Sequence, residues 1–89
     1  MIEREYHTYL KLERGLSDNS VLAYELDFKR LQNYMEEHHI DVVHATFDDL
    51  QAFVFETFKQ IKSAKTQARL LSSIHSFYRF LLDHPYIEQ

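Results

Sequence analysis

The sequence predicts an all-α fold, a compact bundle of four helices. Three observations lead there. Glycine and proline occur once each, at Gly15 and Pro85, so few turns and long helices are expected. Apolar residues make up 45% and aromatic residues 15% of the 89 positions, enough for a real core and too much for a disordered chain. Along four successive segments the apolar residues recur at intervals of three and four, the signature of helices with one buried face.

The first helix is expected from Met1 to Arg14, with Ile2, Tyr6, Tyr9 and Leu10 on one face. Gly15 suits the position just past its end, where a left-handed residue closes a helix without a Cβ penalty. Leu16 then supplies the apolar contact that accompanies such a cap. A second helix is expected over Ser17 to His38. Ser17 or Asn19 caps it, and Asp18 suits its first turn. Val21, Tyr24, Phe28, Leu31 and Met35 form its stripe, and Glu25 with Lys29 is an i, i+4 pair in the favourable order.

His38 to Ala45 is a connector, too short and isolated for a sheet despite Ile40, Val42 and Val43. Thr46 to Gln60 reads as the third helix, with Thr46 and Asp49 spaced as a capping box. Its expected stripe is Phe47, Leu50, Val54, Phe58 and Ile61, widened by Phe53 and Phe55. The fourth helix is expected from Ala64 to about Asp83, capped by Ser63 and carrying Leu70, Ile74, Phe77 and Leu81 on one face. The residue before a proline disfavours helix, so His84 should lie at its end. Residues 1–85 are thus expected to be one helical domain, with 86–89 a tail or the start of a linker.

Composition excludes several classes. With no cysteine there is neither a disulfide framework nor a thiolate metal site. No apolar run approaches a membrane span, and the N-terminus lacks a signal-peptide core, so a cytoplasmic domain without membrane partners is expected. The six histidines include no pair at His-x-x-His or His-x-x-x-His spacing, so no metal is expected. There is no Gly-rich phosphate loop and no nucleophile elbow; no catalytic residue and no cofactor are expected. Tyr6, Tyr9, Tyr24, Tyr34 and Tyr78 stand at core or core-edge spacing, with their hydroxyls expected at the surface.

Charge is distributed unevenly. The chain carries 10 Lys+Arg against 14 Asp+Glu. Yet Lys59, Lys62, Lys65, Arg69 and Arg79 fall in one stretch that contains no carboxylate. Lys62, Lys65 and Arg69 stand at i, i+3 and i+7, a spacing that shares one helical face. They gather at the expected start of the fourth helix, where free N–H groups and the helix dipole favour a phosphate. The plain alternative is a solvated charged face. Against a nucleic-acid role stands the net charge of −4. Glu13, Asp18, Glu25 and Asp27 are the carboxylates that would spoil the patch.

Two motifs then carry a family resemblance. The segment YLKLERGLSDNSVLAYELDFKRLQNYM, from Tyr9 to Met35, closely resembles the opening of Xer-type tyrosine recombinases and related phage integrases. It contains Glu13-Arg14-Gly15-Leu16-Ser17, then Asn19-Ser20, then Tyr24 and Asp27, with Ser20 where the family usually has Thr. The segment Ser63 to Leu81, SAKTQARLLSSIHSFYRFL, is similar to that family's last core-binding helix, with His75 in place of the more usual Arg. Together the matches span nearly the whole chain.

The resemblance implies a SAM-like, four-helix core-binding domain that covers one face of double-stranded DNA. It implies that the nucleophilic Tyr and the other residues of strand exchange belong to a separate C-terminal domain, and that these 89 residues do not cleave DNA. By analogy the DNA-binding residues are Ser17, Asn19 and Ser20 at the start of the second helix, and Lys62, Ser63, Lys65, Thr66 and Arg69 at the start of the fourth. Lys65 and Arg69 are long enough to reach base edges. For Ser17 and Ser63 simple helix capping is the equal alternative. The resemblance further implies other recombinase protomers as partners, in a tetramer on DNA, with Tyr6, Tyr9 and Leu12 as a possible contact surface. The rival from another class is a helical protein–protein interaction module with no DNA role.

Overall fold

A computed structural model describes residues 2–84; Met1, Pro85 and the 86–89 segment lie outside the described residues. The elements in order are α1 (Ile2–Thr8), a π-helical turn (Tyr9–Glu13), α2 (Asp18–Glu37), a 3₁₀ turn (Val42–His44), α3 (Phe47–Gln60) and α4 (Ala64–Asp83). No strand occurs among the described residues. The all-α, four-helix architecture matches the sequence expectation.

Local chemistry explains the boundaries. Ser17 accepts from the Ser20 amide at 3.3 Å, Thr46 and Asp49 form both bonds of a capping box, and Ser63 accepts from the Thr66 amide at 3.3 Å. Gly15 adopts φ +63°, and the Leu16 amide returns to the Leu10 carbonyl at 3.1 Å. The first helix differs from expectation in its last turn, which widens into a π-helix, with the Arg14 amide bonding the Tyr9 carbonyl five residues back. That widening accompanies the burial of Tyr9 and Leu10 side by side.

The core lies where α1, α2 and α4 meet. Tyr6, Phe28, Phe77 and Phe80 form an aromatic cluster, with Phe28 and Phe77 at 4.5 Å and Tyr6 edge-on to Phe77 at 5.3 Å. Leu10, Leu31, Met35 and Leu70 close around it with no exposed surface to speak of. Two tyrosine hydroxyls are inside rather than at the surface. The Tyr6 hydroxyl donates to the Ser73 carbonyl at 3.4 Å, and that of Tyr78 donates to the Val42 carbonyl at 2.6 Å. Burial pushes the Tyr6 phenol up to about 12 and raises that of Tyr78 as well.

The third helix corrects the sequence reading. Of its seven expected apolar positions only Phe53 is fully buried, packing edge-on to Tyr34 at 5.3 Å. Phe47 and Phe55 are 72% and 66% exposed. Leu50, Val54, Phe58 and Ile61 are half-buried. The apolar arc of α3 is wider than the surface available to cover it, so periodicity alone overestimates its burial.

Candidate nucleic-acid interface

The N-termini of α2 and α4 are the two places where the proposed DNA-binding residues fall. Both are held by one crossing, at which Asp27 and Phe28 of α2 meet Arg69, Ser73 and Phe77 of α4. Asp27 has no exposed side-chain surface. Arg69 donates to it from Nε and Nη2, each at 2.8 Å, and the Ser73 hydroxyl donates at 2.7 Å. Arg30 adds a looser ionic contact, with Nη1 at 3.8 Å from Oδ1. A buried carboxylate is tolerated only when paired and hydrogen-bonded, and here both oxygens are occupied. The bond to Asp27 raises the Arg69 guanidinium above its ordinary value.

This network relocates Arg69. The N–H groups of its fork belong to Asp27, so the same groups do not also pair with a guanine edge. Asp27, counted above among the carboxylates that would spoil a basic patch, is instead its internal anchor. The sequence places the members of this network on inward faces without pairing them. Asp27 sits beside Phe28 on the buried face of α2, and Ser73 lies midway between Arg69 and Phe77 at helical spacing.

From the crossing, helical rise sets the reach to each N-terminus. Nine residues separate Asp18 from Asp27 and five separate Ala64 from Arg69, which puts the two N-termini no more than roughly 30 Å apart. That is within one turn of duplex DNA, about 34 Å. Ser17, Asn19, Lys62, Ser63 and Lys65 are exposed, and Ser20 and Thr66 are half-exposed. Ser17 and Ser63 both cap their helices, and the Ser17 hydroxyl also donates to the Ser20 hydroxyl at 3.1 Å.

The remaining carboxylates near these ends are also paired. Asp18 accepts from Lys11 across the Gly15 turn, and that bond lowers the Asp18 carboxyl below its usual range. Glu25 pairs with His7 at 2.8 Å rather than with Lys29, and Glu13 with His84 at 3.0 Å. Lys62 and Lys65 form no ion pair with another described residue.

The expectation of one shared face for Lys62, Lys65 and Arg69 needs correction. Ser63 is the N-cap in an extended conformation, so Lys62 precedes the helix and lies in the link from α3. Only Lys65 and Arg69, at i and i+4, share a helical face. The link itself is fixed by Gln67, whose amide donates to the Ile61 carbonyl at 2.7 Å. Among the described residues no group of three or more His, Asp or Glu is gathered to hold a metal ion. No helix among them is long and apolar enough to cross a membrane.

Residues 4–84 match the family model of the phage integrase N-terminal SAM-like domain. The chain belongs to this family. It is 40% identical over 88 residues to a protein named tyrosine recombinase XerD from Staphylococcus aureus, an alignment covering 96% of this chain and 29% of the relative. The tyrosine recombinase XerD of Staphylococcus haemolyticus is 39% identical over the same shares. The chain thus spans less than a third of the length of these relatives, and corresponds to their N-terminal SAM-like part. No solved structure matches it.

Proposed function

We propose that this integrase-family domain binds duplex DNA at a recombination site, as the N-terminal clamp of a tyrosine recombinase. Phosphates are received at two helix N-termini, by Ser17, Asn19 and Ser20 on α2 and by Lys62, Ser63, Lys65 and Thr66 on α4. Hydroxyls, main-chain amides and helix ends suit phosphate positioning, and the lysines supply the sequence-independent attraction. Lys65 is the side chain in reach of a base edge. Arg69 is a positioning residue, holding the start of α4 against α2 through Asp27. Strand cleavage belongs to another part of the relatives' length, other protomers complete the assembly on DNA, and the protein works in the cytoplasm, where its DNA is.

The observation that carries this reading is the pair of capped N-termini joined by one buried ion pair, with Lys62 and Lys65 uncommitted beside them, in a chain of the integrase family. The test is an NMR titration of the labelled chain with a short duplex at low and then high salt. Expected are shifts confined to residues 17–20 and 62–69 that vanish with salt. Two phosphates neutralised by Lys62 and Lys65 give a slope of log K against log[salt] of about −1.8, and Lys62→Ala or Lys65→Ala each makes it shallower by about 0.9. Scattered shifts, or none, overturn the reading.

The rival, a protein-interaction module without DNA binding, draws on the net charge of −4. That total is a weak guide to the two N-termini, where Asp18 and Asp27 are paired with Lys11 and Arg69, while Glu13 and Glu25 contact His84 and His7.

A further inference from the structure

Arg14 is a third cation beside the two helix N-termini, and it pairs with no carboxylate. It caps the π-helical turn and stands three residues before Ser17, the cap of α2. Its Nη1 donates to the Ser76 hydroxyl of α4 at 2.9 Å. Ser76 is 1% exposed, whereas Arg14 itself is exposed. The Nε and Nη2 of Arg14 form no hydrogen bond, and its guanidinium no ion pair, with another described residue. The nearest carboxylates in sequence are taken, Glu13 by His84 and Asp18 by Lys11.

The bond to Ser76 brings Arg14 into the surface already described. On α4, Lys65, Arg69, Ser72 and Ser76 follow a 4-3-4 spacing, a polar stripe along one flank of the helix. Arg69 ties that stripe to α2 through Asp27, and Arg14 ties its far end to the turn that leads into Ser17. The rise of α4 from Lys65 to Ser76 is about 17 Å. Lys65 and Arg14 therefore stand at opposite ends of one polar strip, within the length of a single duplex turn, about 34 Å.

Guanidinium geometry selects the ligand. Nε–H and Nη2–H lie along one edge of the planar group and take two oxygens of a carboxylate or phosphate together. Arg69 uses that edge to hold Asp27, with both bonds at 2.8 Å. On Arg14 the same edge is unoccupied, and the bond from Nη1 to a buried hydroxyl orders the fork in advance, which lowers the entropic cost of binding. We propose that Arg14 is a phosphate-binding residue of the DNA interface, receiving one backbone phosphate on its Nε/Nη2 edge, with Ser76 as the residue that positions it. This rests on the duplex-binding reading above and extends it, because Lys62 and Lys65 both lie at the α4 end of the site and Arg14 supplies the cation at the α2 end.

The test is duplex binding followed by fluorescence anisotropy over a salt series. With Arg14 the slope of log K against log[salt] is expected near about −2.7, against about −1.8 for Lys62 and Lys65 alone. Arg14→Gln, folded by circular dichroism, returns it to about −1.8 and weakens binding about tenfold at low salt. Ser76→Ala weakens binding but keeps the steeper slope, because the cation remains while its order is lost. In the native chain the Arg14 Nε–H proton signal shifts when duplex is added, a readout that needs no variant. A merely structural Arg14 changes affinity without changing the slope, and that result overturns the assignment. So does an unmoved Nε–H signal in a chain that binds duplex. If Arg14→Gln keeps the native slope while Lys62→Ala and Lys65→Ala make it shallower, Arg14 is excluded and the duplex reading stands. If the native chain binds no duplex, both fall.

Discussion

Helix α4 has two apolar sides, and they have different fates. The side toward α1 and α2 carries Leu70, Ser73, Phe77 and Phe80, all essentially buried. The side toward α3 carries Leu71, Ile74, Tyr78 and Leu82, which stay half-buried or exposed. Both have helical spacing and similar hydrophobicity. What separates them is the partner. On the first side Asp27 reaches across to bond Arg69 and Ser73, and Tyr6 and Phe28 fill the space around Phe77. On the second side α3 faces α4 across a trough, while its one fully buried side chain, Phe53, packs on Tyr34 of α2 instead. An apolar stripe therefore announces that a surface is to be covered, not what covers it.

The sharpest way to break this contrast is at the buried pair. Arg69→Ala leaves the buried Asp27 carboxylate with only Ser73 and the looser Arg30 contact and is expected to cost about 2–3 kcal/mol in urea denaturation. Asp27→Leu combined with Arg69→Met is expected to recover most of that loss, because an apolar pair carries no desolvation penalty. A double variant no more stable than Arg69→Ala alone would mean that the geometry of the pair, not its charge, holds the crossing.

Neighbouring phenylalanines in α3 give the next comparison. Phe53→Ala should destabilise by about 3 kcal/mol through lost burial and a cavity, whereas Phe55→Ala should stay within about 0.5 kcal/mol. Equal losses in thermal melts would show that Phe55 is buried as well.

Alkali probes the same buried side. The Tyr6 phenol is raised from 10.0 to about 12 by burial, so the fold favours its protonated form. Its contribution is complete below pH 10 and is lost as pH climbs through 12, because the unfolded chain gives up that proton more readily. The expected loss is about 3 kcal/mol. Ultraviolet titration should show Tyr6 and Tyr78 ionising last, with unfolding; ionisation of all six tyrosines together near pH 10 would contradict their burial.

The smallest effect lies in the trough. Leu82→Ser at a position 76% exposed should change stability by less than about 0.5 kcal/mol in the chain alone. A larger loss would place Leu82 inside the hydrophobic core.

The sequence alone determined the helices and their ends. Gly15 closes the first, Ser17, Thr46 and Ser63 cap the others, and each motif acts between residues a few positions apart, where the chain itself supplies both partners. The family motifs were equally legible, since they too are local runs. Only the tertiary structure decided that Arg69 serves Asp27, 42 residues away, that the hydroxyls of Tyr6 and Tyr78 point inward, and that Phe47 and Phe55 remain in solvent. These outcomes depend on which helices meet and how much apolar arc each covers. Such distances and areas arise only when segments remote in sequence pack together, so periodicity within one segment carries no record of them.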